Sequence, residues 1–295
     1  MKGCMVLLNK IRNRLIHLHR IPVITRRMLY ILMKHDHSLR KIYSMSSTEI
    51  SHLLTISNQK ANTLYKQLHC QHIRNLALND RKICQIITIF DKEYPQLLKN
   101  IYDAPLVLYT LGNTTLLNKH PSISVIGTRN PSSEGIPKLN TIVSPIIKKG
   151  WVIVSGLAYG IDSQAHLLTL RHKGQTIAVL GSGFNHIYPR ENVELFKRIV
   201  QFGLVITEYP PDTPPRKYHF PERNRIISGI SNATLVIEAK SKSGTLITVD
   251  QALEQGKEIY AVPGSPLLQQ TEGCHKLIQD GAKLVTCAED ILEDW

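Results

Sequence analysis

At 295 residues, 42% of them hydrophobic, the chain is long enough for one large domain and one small one, and its core needs no disulfide support. Its 36 Lys+Arg against 23 Asp+Glu leave a net charge of +13, which favours a polyanionic partner. No apolar run approaches the roughly 18 residues of a membrane span, Met5-Val-Leu-Leu8 is too short for a signal segment, and the five cysteines (Cys4, Cys70, Cys84, Cys274, Cys287) are odd in number and lack a C-x-x-C, so neither a disulfide framework nor a zinc site is expected and the composition reads as cytoplasmic.

The positive excess is concentrated at one end. Residues 1–82 hold 15 Lys+Arg against only Asp36, Glu49 and Asp80, a net +12, whereas residues 83–295 stand at +1. This first stretch reads as a small, basic, all-α domain. A helix is expected over Val23–Leu39, with Pro22 in its first turn. Ser46-x-x-Glu49 is a capping-box pattern ahead of Ile50, Leu53 and Leu54, and Ser57 opens a second short helix with Ala61, Leu64, Tyr65 and Leu68 on one side. Two readings stand for the helices around Thr55-Ile-Ser57: a DNA-reading helix-turn-helix or a plain structural bundle. The second helix offers few base-reading side chains, and the scattered histidines read as surface residues.

The texture changes at Ile83, and the domain boundary is placed near residue 82. Cys84–Phe90 is β-rich, Leu97, Leu98 and Ile101 suggest a helical turn, and Pro105–Thr110 is a strand candidate. Strands and helices then alternate: strands at Ser124–Ile126, Trp151–Val154, Thr176–Leu180, Leu204–Thr207, Thr234–Ile237 and Glu258–Val262; helices at Ile136–Lys149, over Ala158–Leu168, over Val193–Val200 and at Thr245–Gln255. Alternation of this kind gives an α/β fold with a mostly parallel, doubly wound sheet covered on both faces. Ligands on such sheets bind at the carboxyl ends of the strands where the strand order reverses.

Four glycine turns fall at strand ends: Gly127-Thr128-Arg129, Ser155-Gly156, Gly181-Ser-Gly183 and Ser243-Gly244-Thr245. Together they predict an anion-friendly rim of exposed backbone N–H groups. In the first, Asn130-Pro-Ser-Ser133 is expected to start a helix directly behind the turn, making a phosphate site to which Arg129 adds a forked charge. None of the four is a G-x-G-x-x-G with a following acid, and no G-K-[ST] occurs, so no nucleotide cofactor is indicated. A second cluster, Pro214–Arg225, interleaves Arg216, Lys217, Arg223 and Arg225 with Tyr218, His219 and Phe220. In a proline-stiffened loop, cations would meet phosphates while rings stack on bases of a single strand; the alternative is a structural loop whose arginines pair with Glu208, Glu222 or Glu238. Asp162 and His166, one helical turn apart, read either as an acid/base pair or as capping and packing groups. No metal-hydrolase motif and no nucleophile elbow is present.

These motifs resemble the DprA/Smf family, DNA processing protein A. The resemblance is carried by Ile126-Gly-Thr-Arg-Asn130, Val154–Asp162 with His166, Thr176–Gly183, Tyr188-Pro189, Glu208-Tyr-Pro210, Phe220–Ser228, Lys242–Thr248, Ala261-Val-Pro-Gly264 and Leu277-Ile278 before Asp280-Gly-Ala282, in order from about residue 86 to 285. It implies an extended Rossmann-like domain over 83–295, a small SAM-like or helix-hairpin-like domain over 1–82 and, with the chain ending at Trp295, no C-terminal winged helix. It further implies a non-enzymatic recombination mediator that binds single-stranded DNA, protects it during natural transformation, loads the RecA recombinase and forms a homodimer, without cofactor, metal or membrane. The implied DNA-binding residues are Gly127, Thr128, Arg129, Lys217 and Phe220; the residue-level reading adds Ser155, Gly156, Arg223, Asn224, Lys242, Ser243, Gly244 and Thr245. His275 stands where the family often has Asn, and Thr207 where Ser is usual. The alternative is a nucleotide phosphoribohydrolase on a related fold. Here Thr248 occupies the place of that group's catalytic Glu and its Pro-Gly-Gly is missing.

Overall fold

The computed structural model describes residues 2–295, with side chains from Lys10 onward, so Cys4 lies outside the described side chains. The chain forms two compact units: residues up to Lys92 with Pro105–Tyr109, and Glu93–Ala104 with Thr110–Trp295.

The first unit is helical: α1 (Lys2–His19), α2 (Arg26–His35), α3 (Ser47–Leu54), α4 (Asn58–Leu68) and α5 (Gln71–Ile83), with a 3-10 turn at Lys41–Ser44 and strand β1 (Gln85–Thr88). The capping box is present. The Ser46 Oγ accepts the Glu49 amide at 3.3 Å, and the Glu49 carboxylate accepts the Ser46 amide at 2.7 Å. Ser57 caps α4 in the same way through the Lys60 amide at 3.3 Å. The helix expected over Val23–Leu39 is shorter. Thr25 rather than the region of Pro22 caps it, and Asp36 ends it by accepting the amides of Ser38, Arg40 and Lys41. A local acceptor at each end outcompetes helical propensity in the flanks. Arg20 and Asp80, both buried, pair at 2.9 Å and join the end of α1 to α5.

The second unit is α/β. It follows the short α6 (Gln96–Lys99) and the end of β2 (Val107–Gly112) with β3 (Ser122–Ile126), α7 (Gly135–Lys148), β4 (Val152–Ser155), α8 (Ile161–Arg171), β5 (Gln175–Leu180), α9 (Val193–Phe202) and β6 (Leu204–Thr207). Then come α10 (His219–Gly229), β7 (Ala233–Val236), α11 (Gly244–Glu254), β8 (Glu258–Ala261), α12 (Glu272–Gln279), β9 (Lys283–Leu284) and α13 (Glu289–Leu292). The strands lie in the order β6-β5-β4-β3-β7-β8-β9, with parallel pairing throughout this run. The chain winds outward from β3 in one direction, then returns to its other side at β7. The switch point therefore lies between β3 and β7. Both strands are buried along their length, as a sheet covered on both faces requires, and their central hydroxyls pair with each other, Ser124 Oγ donating to Thr234 Oγ1 at 2.8 Å. Ile123, Val125 and Leu235 of the sheet pack against Leu139, Ile142 and Ile146 of α7 and Ile161, Ala165 and Leu168 of α8. Each fully buried aliphatic side chain of this set contributes roughly 1.5–3 kcal/mol.

Two expectations fail here. The loop expected at Pro214–Arg225 becomes helix α10 from His219 onward. Pro221 falls in its first turn, where a missing N–H breaks no helical bond, so that proline was no sign of a loop. The helix expected over Ile136–Lys149 is present as Gly135–Lys148, but no side chain caps it, so Asn130-Pro-Ser-Ser133 does not supply the helix-start chemistry expected of it.

Candidate nucleic-acid interface

A cavity of about 650 Å³ opens at the carboxyl ends of β3 and β7, the switch point of the sheet. The turn after β3 supplies Gly127, Thr128, Arg129 and Asn130, and the segment after β7 supplies Lys240, Ser243, Gly244 and Thr245. Lys217 precedes α10, which adds Phe220, Arg223, Asn224 and Ile227 at positions i, i+3, i+4 and i+7, one helical face. Tyr188 completes the wall, its ring centroid 5.5 Å from that of Phe220.

Each part has a local cause. A Cβ on Gly127 would lie 2.6 Å from the Ile161 side chain, so only glycine lets the β3 turn pass over the start of α8. Beyond it the amides of Thr128, Asn130 and Ser132 are engaged within the protein. Thr128 N–H donates to the Glu238 carbonyl at 2.8 Å, Asn130 N–H to Thr128 Oγ1 at 3.3 Å, and Ser132 N–H to Glu238 Oε2 at 2.9 Å. These three amides are therefore withdrawn from the cradle expected behind β3. What that turn presents outward is the exposed Arg129 side chain. The free helix start belongs to α11 instead. Ser243 at its N-cap makes no side-chain cap, nothing stands where a Cβ of Gly244 would project, and Thr245 Oγ1 holds the Gly127 carbonyl at 3.2 Å. An uncapped helix start facing a cavity is a favourable place for an anion.

The other glycine turns serve the scaffold. Ser155 is fully buried and its hydroxyl donates to the Val125 carbonyl at 2.7 Å, so it does not reach the cavity. In the Gly181-Ser-Gly183 turn, Gly183 N–H donates to Thr213 O at 2.8 Å and Ser182 is buried. Gly156 lines a smaller hollow beside the cavity with Tyr159, Gly181 and Tyr188. A Cβ there would lie 2.5 Å from the Arg223 guanidinium.

The arginines of α10 divide into two kinds. Arg223 borders the cavity but is 5% exposed; its Nη1 donates to the carbonyls of Gly156 and Val179, and its Nε to Asn224 Oδ1 at 3.1 Å. Burial brings this guanidinium down to about 10, against the opposing pull of Asp162. Arg225 turns away from the cavity, pairs with Glu208 and lies 3.6 Å from Asp103. The salt-bridge alternative for the cluster therefore holds for Arg225 with Glu208, whereas Glu222 accepts from Tyr209 and Glu238 from Ser132. Asp162 is buried, which raises its pKa against the influence of Arg223, and it accepts the Gly156 amide at 3.2 Å. His166 bonds Thr176 Oγ1 at 2.7 Å, and burial lowers it to about 3. The two face different partners, a packing arrangement.

Arg129, Lys217 and Lys240 are thus the exposed cations on the cavity wall, and Asp162 is the one carboxylate among its lining residues. Lys242 is exposed but outside the lining, where Lys240 stands instead. Tyr188, Asn130 and Lys240 were absent from the predicted site. Tyr188 belonged to a recognised motif, and only the fold brings its ring to Phe220.

The sequence profile of the DNA recombination-mediator protein A family matches residues 85–295. The chain belongs to this family. It is 51% identical over 208 residues to DNA processing protein DprA of Bacillus subtilis, covering 70% of each chain. Its fold is similar to the X-ray structure of DprA from Streptococcus pneumoniae, with a TM-score of 0.86, 36% identity, and coverage of 97% of this chain and 99% of that one. A second similar structure is DNA processing protein A of Helicobacter pylori, described for its single-stranded DNA binding mode, with a TM-score of 0.65, 29% identity, and coverage of 72% and 98%. These relationships give the DprA-family chain a DNA-processing, recombination-related role. Among the described residues no helix is long and apolar enough to cross a membrane.

Proposed function

We propose that this DprA-family protein binds single-stranded DNA at the switch-point cavity and acts as a recombination mediator. The observation that carries the reading is the convergence of Arg129, Lys217 and Lys240 with the rings of Phe220 and Tyr188 around the uncapped start of α11. Cations beside ring faces suit a strand whose bases are unpaired: guanidinium and ammonium groups meet phosphates, and a ring stacks on any base. Backbone and π-face contacts give weak sequence preference and strong salt dependence. The single-strand binding of the Helicobacter pylori relative supports the same assignment.

The finer role follows the family resemblance: a cytoplasmic homodimer that protects incoming DNA during natural transformation and delivers it to RecA. No catalysis is assigned. The lone carboxylate on the cavity wall, Asp162, is buried and accepts the Gly156 amide. The test is a gel shift with labelled oligo-dT. Arg129→Ala and Lys217→Ala each remove an exposed charge, and each is expected to weaken binding by about 1.5–3 kcal/mol, the range of a hydrogen bond to a charged group, with the thermal melt unchanged. Unaltered retardation of both variants would refute the assignment. RecA delivery is tested separately, by whether the protein speeds RecA filament growth on coated oligo-dT.

A further inference from the structure

The first unit carries the chain's positive excess, and each of its early carboxylates already serves the fold. Asp36 accepts three backbone amides, Glu49 closes a capping box, and Asp80 pairs with the buried Arg20. The surface cations of this unit are left without those acids. Three of them, Arg14, Arg74 and Arg81, converge on a cavity of about 280 Å³ walled also by Leu78 and the stacked rings of His17 and Tyr43. Among the described residues the hydrogen-bond partners of these guanidiniums are neutral: Arg14 Nη1 donates to the Ser38 carbonyl at 2.8 Å, and Arg81 Nη2 to Asn13 Oδ1 at 2.6 Å. Each keeps further donors.

His17 supplies an independent sign. It is 8% exposed, its Nδ1 engages the Tyr43 hydroxyl at 2.7 Å, and its Nε2 is buried with no hydrogen-bond partner among the described residues. A buried polar nitrogen without a partner is costly unless a ligand completes it. Leu78, 55% exposed, gives the cavity an apolar side next to its charges.

We infer that this cavity is a second phosphate site, taking the phosphate of a nucleotide residue on Arg14, Arg74 and Arg81 with the nucleoside against Leu78. Forked guanidiniums suit an anion with several oxygens, and the apolar side distinguishes a nucleotide from bare phosphate. The choice of nucleic acid as the source rests on the proposed single-strand function. The site itself does not involve the switch-point cavity.

His17 is the reporter. Burial, then Arg74, then His69 hold it down at about 4. A bound phosphate would offset Arg74 and move it back up. The full chain is titrated with thymidine, inorganic phosphate, thymidine monophosphate and oligo-dT while the histidine proton resonances are followed. The mononucleotide is expected to shift the His17 signal and raise its titration midpoint, inorganic phosphate to act only at higher concentration, and thymidine not at all. A response to oligo-dT as well assigns the site to a strand; a response to the mononucleotide alone assigns it to free nucleotides. The double variant Arg74→Ala/Arg81→Ala removes two exposed side chains and should abolish the response. Where a strand binds, it should also make the log–log salt slope of oligo-dT binding shallower by about 0.7, the value of one lost phosphate contact. A His17 signal indifferent to mononucleotide and oligo-dT, or answering phosphate as readily as the mononucleotide, overturns the inference. Arg129→Ala is expected to leave the His17 response intact, so a failure of the switch-point reading is separable from a failure of this one.

Discussion

The two units handle positive charge differently. In the second, which is nearly neutral by sequence, cations are sorted by depth: Arg223 and Arg225 sit buried among carbonyls and carboxylates, while Arg129, Lys217 and Lys240 stand exposed on the wall above them. In the first, Asp36 and Glu49 serve caps, Asp80 and Asp91 each pair with an arginine, and the excess charge is left at the surface. Net charge therefore says little about where an anion would bind. The useful quantity is which cations lack an internal partner.

That distinction between buried and exposed arginines is open to direct attack. Arg223→Ala would leave the buried carbonyls of Gly156 and Val179 without their donor, and should destabilise the second unit by about 1–3 kcal/mol in urea unfolding, the cost of leaving a buried acceptor unsatisfied. A variant as stable as the parent would show that the buried arginine is not structural. Arg129→Ala, by contrast, should leave stability within about 0.5 kcal/mol, as for an exposed side chain.

A pH series tests burial in both units. His166 is lowered to about 3 and His17 to about 4 from 6.5, so the unfolded chain binds their protons first as pH falls. Their contribution is complete above pH 6.5 and declines as pH drops through that value toward the folded pKa values. Each histidine then adds a slope of up to about 1.4 kcal/mol per pH unit. His166→Gln should flatten the acid limb of the stability curve; an unchanged limb would mean that His166 takes up a proton without loss of packing.

Two smaller effects sharpen the account of the wall. Phe220→Ala should weaken oligo-dT binding by about 1–3 kcal/mol, the range of one base–ring stack, while leaving the salt dependence as it was. Lys217→Ala should weaken binding and, unlike Phe220→Ala, also make the salt slope shallower by about 0.7. If both variants changed slope and affinity alike, rings and cations would not have separate tasks.

The strand–helix alternation, the capping box at Ser46 and Glu49, the charge asymmetry and the Gly127–Arg129 turn were legible in the residues, because each is a local pattern in which backbone preference and side-chain chemistry agree. The lining of the cavity was legible at Arg129, Lys217, Phe220 and the Ser243–Thr245 segment. What could not be read was depth and direction. Arg223 and Arg225 look alike in a row of cations, yet on a helix two positions differ by more than half a turn, so one borders the cavity and the other faces Glu208. The turn ahead of α11 exchanged Lys242 for Lys240, and the packing of the second unit brought Tyr188 to Phe220 across some thirty positions of chain.

By itself, then, the sequence determined the strand–helix alternation over 124–262 and the kinds of group available, since these depend on periodicity and turn chemistry within a few residues, while the strand order that makes the switch point came from packing. Only the tertiary structure decided which amides remained available. The bonds from Thr128 and Ser132 to Glu238 close the turn behind β3 and leave the start of α11 facing the cavity. Hydrogen-bond satisfaction in a packed interior is settled between residues a hundred positions apart, and no local pattern records it.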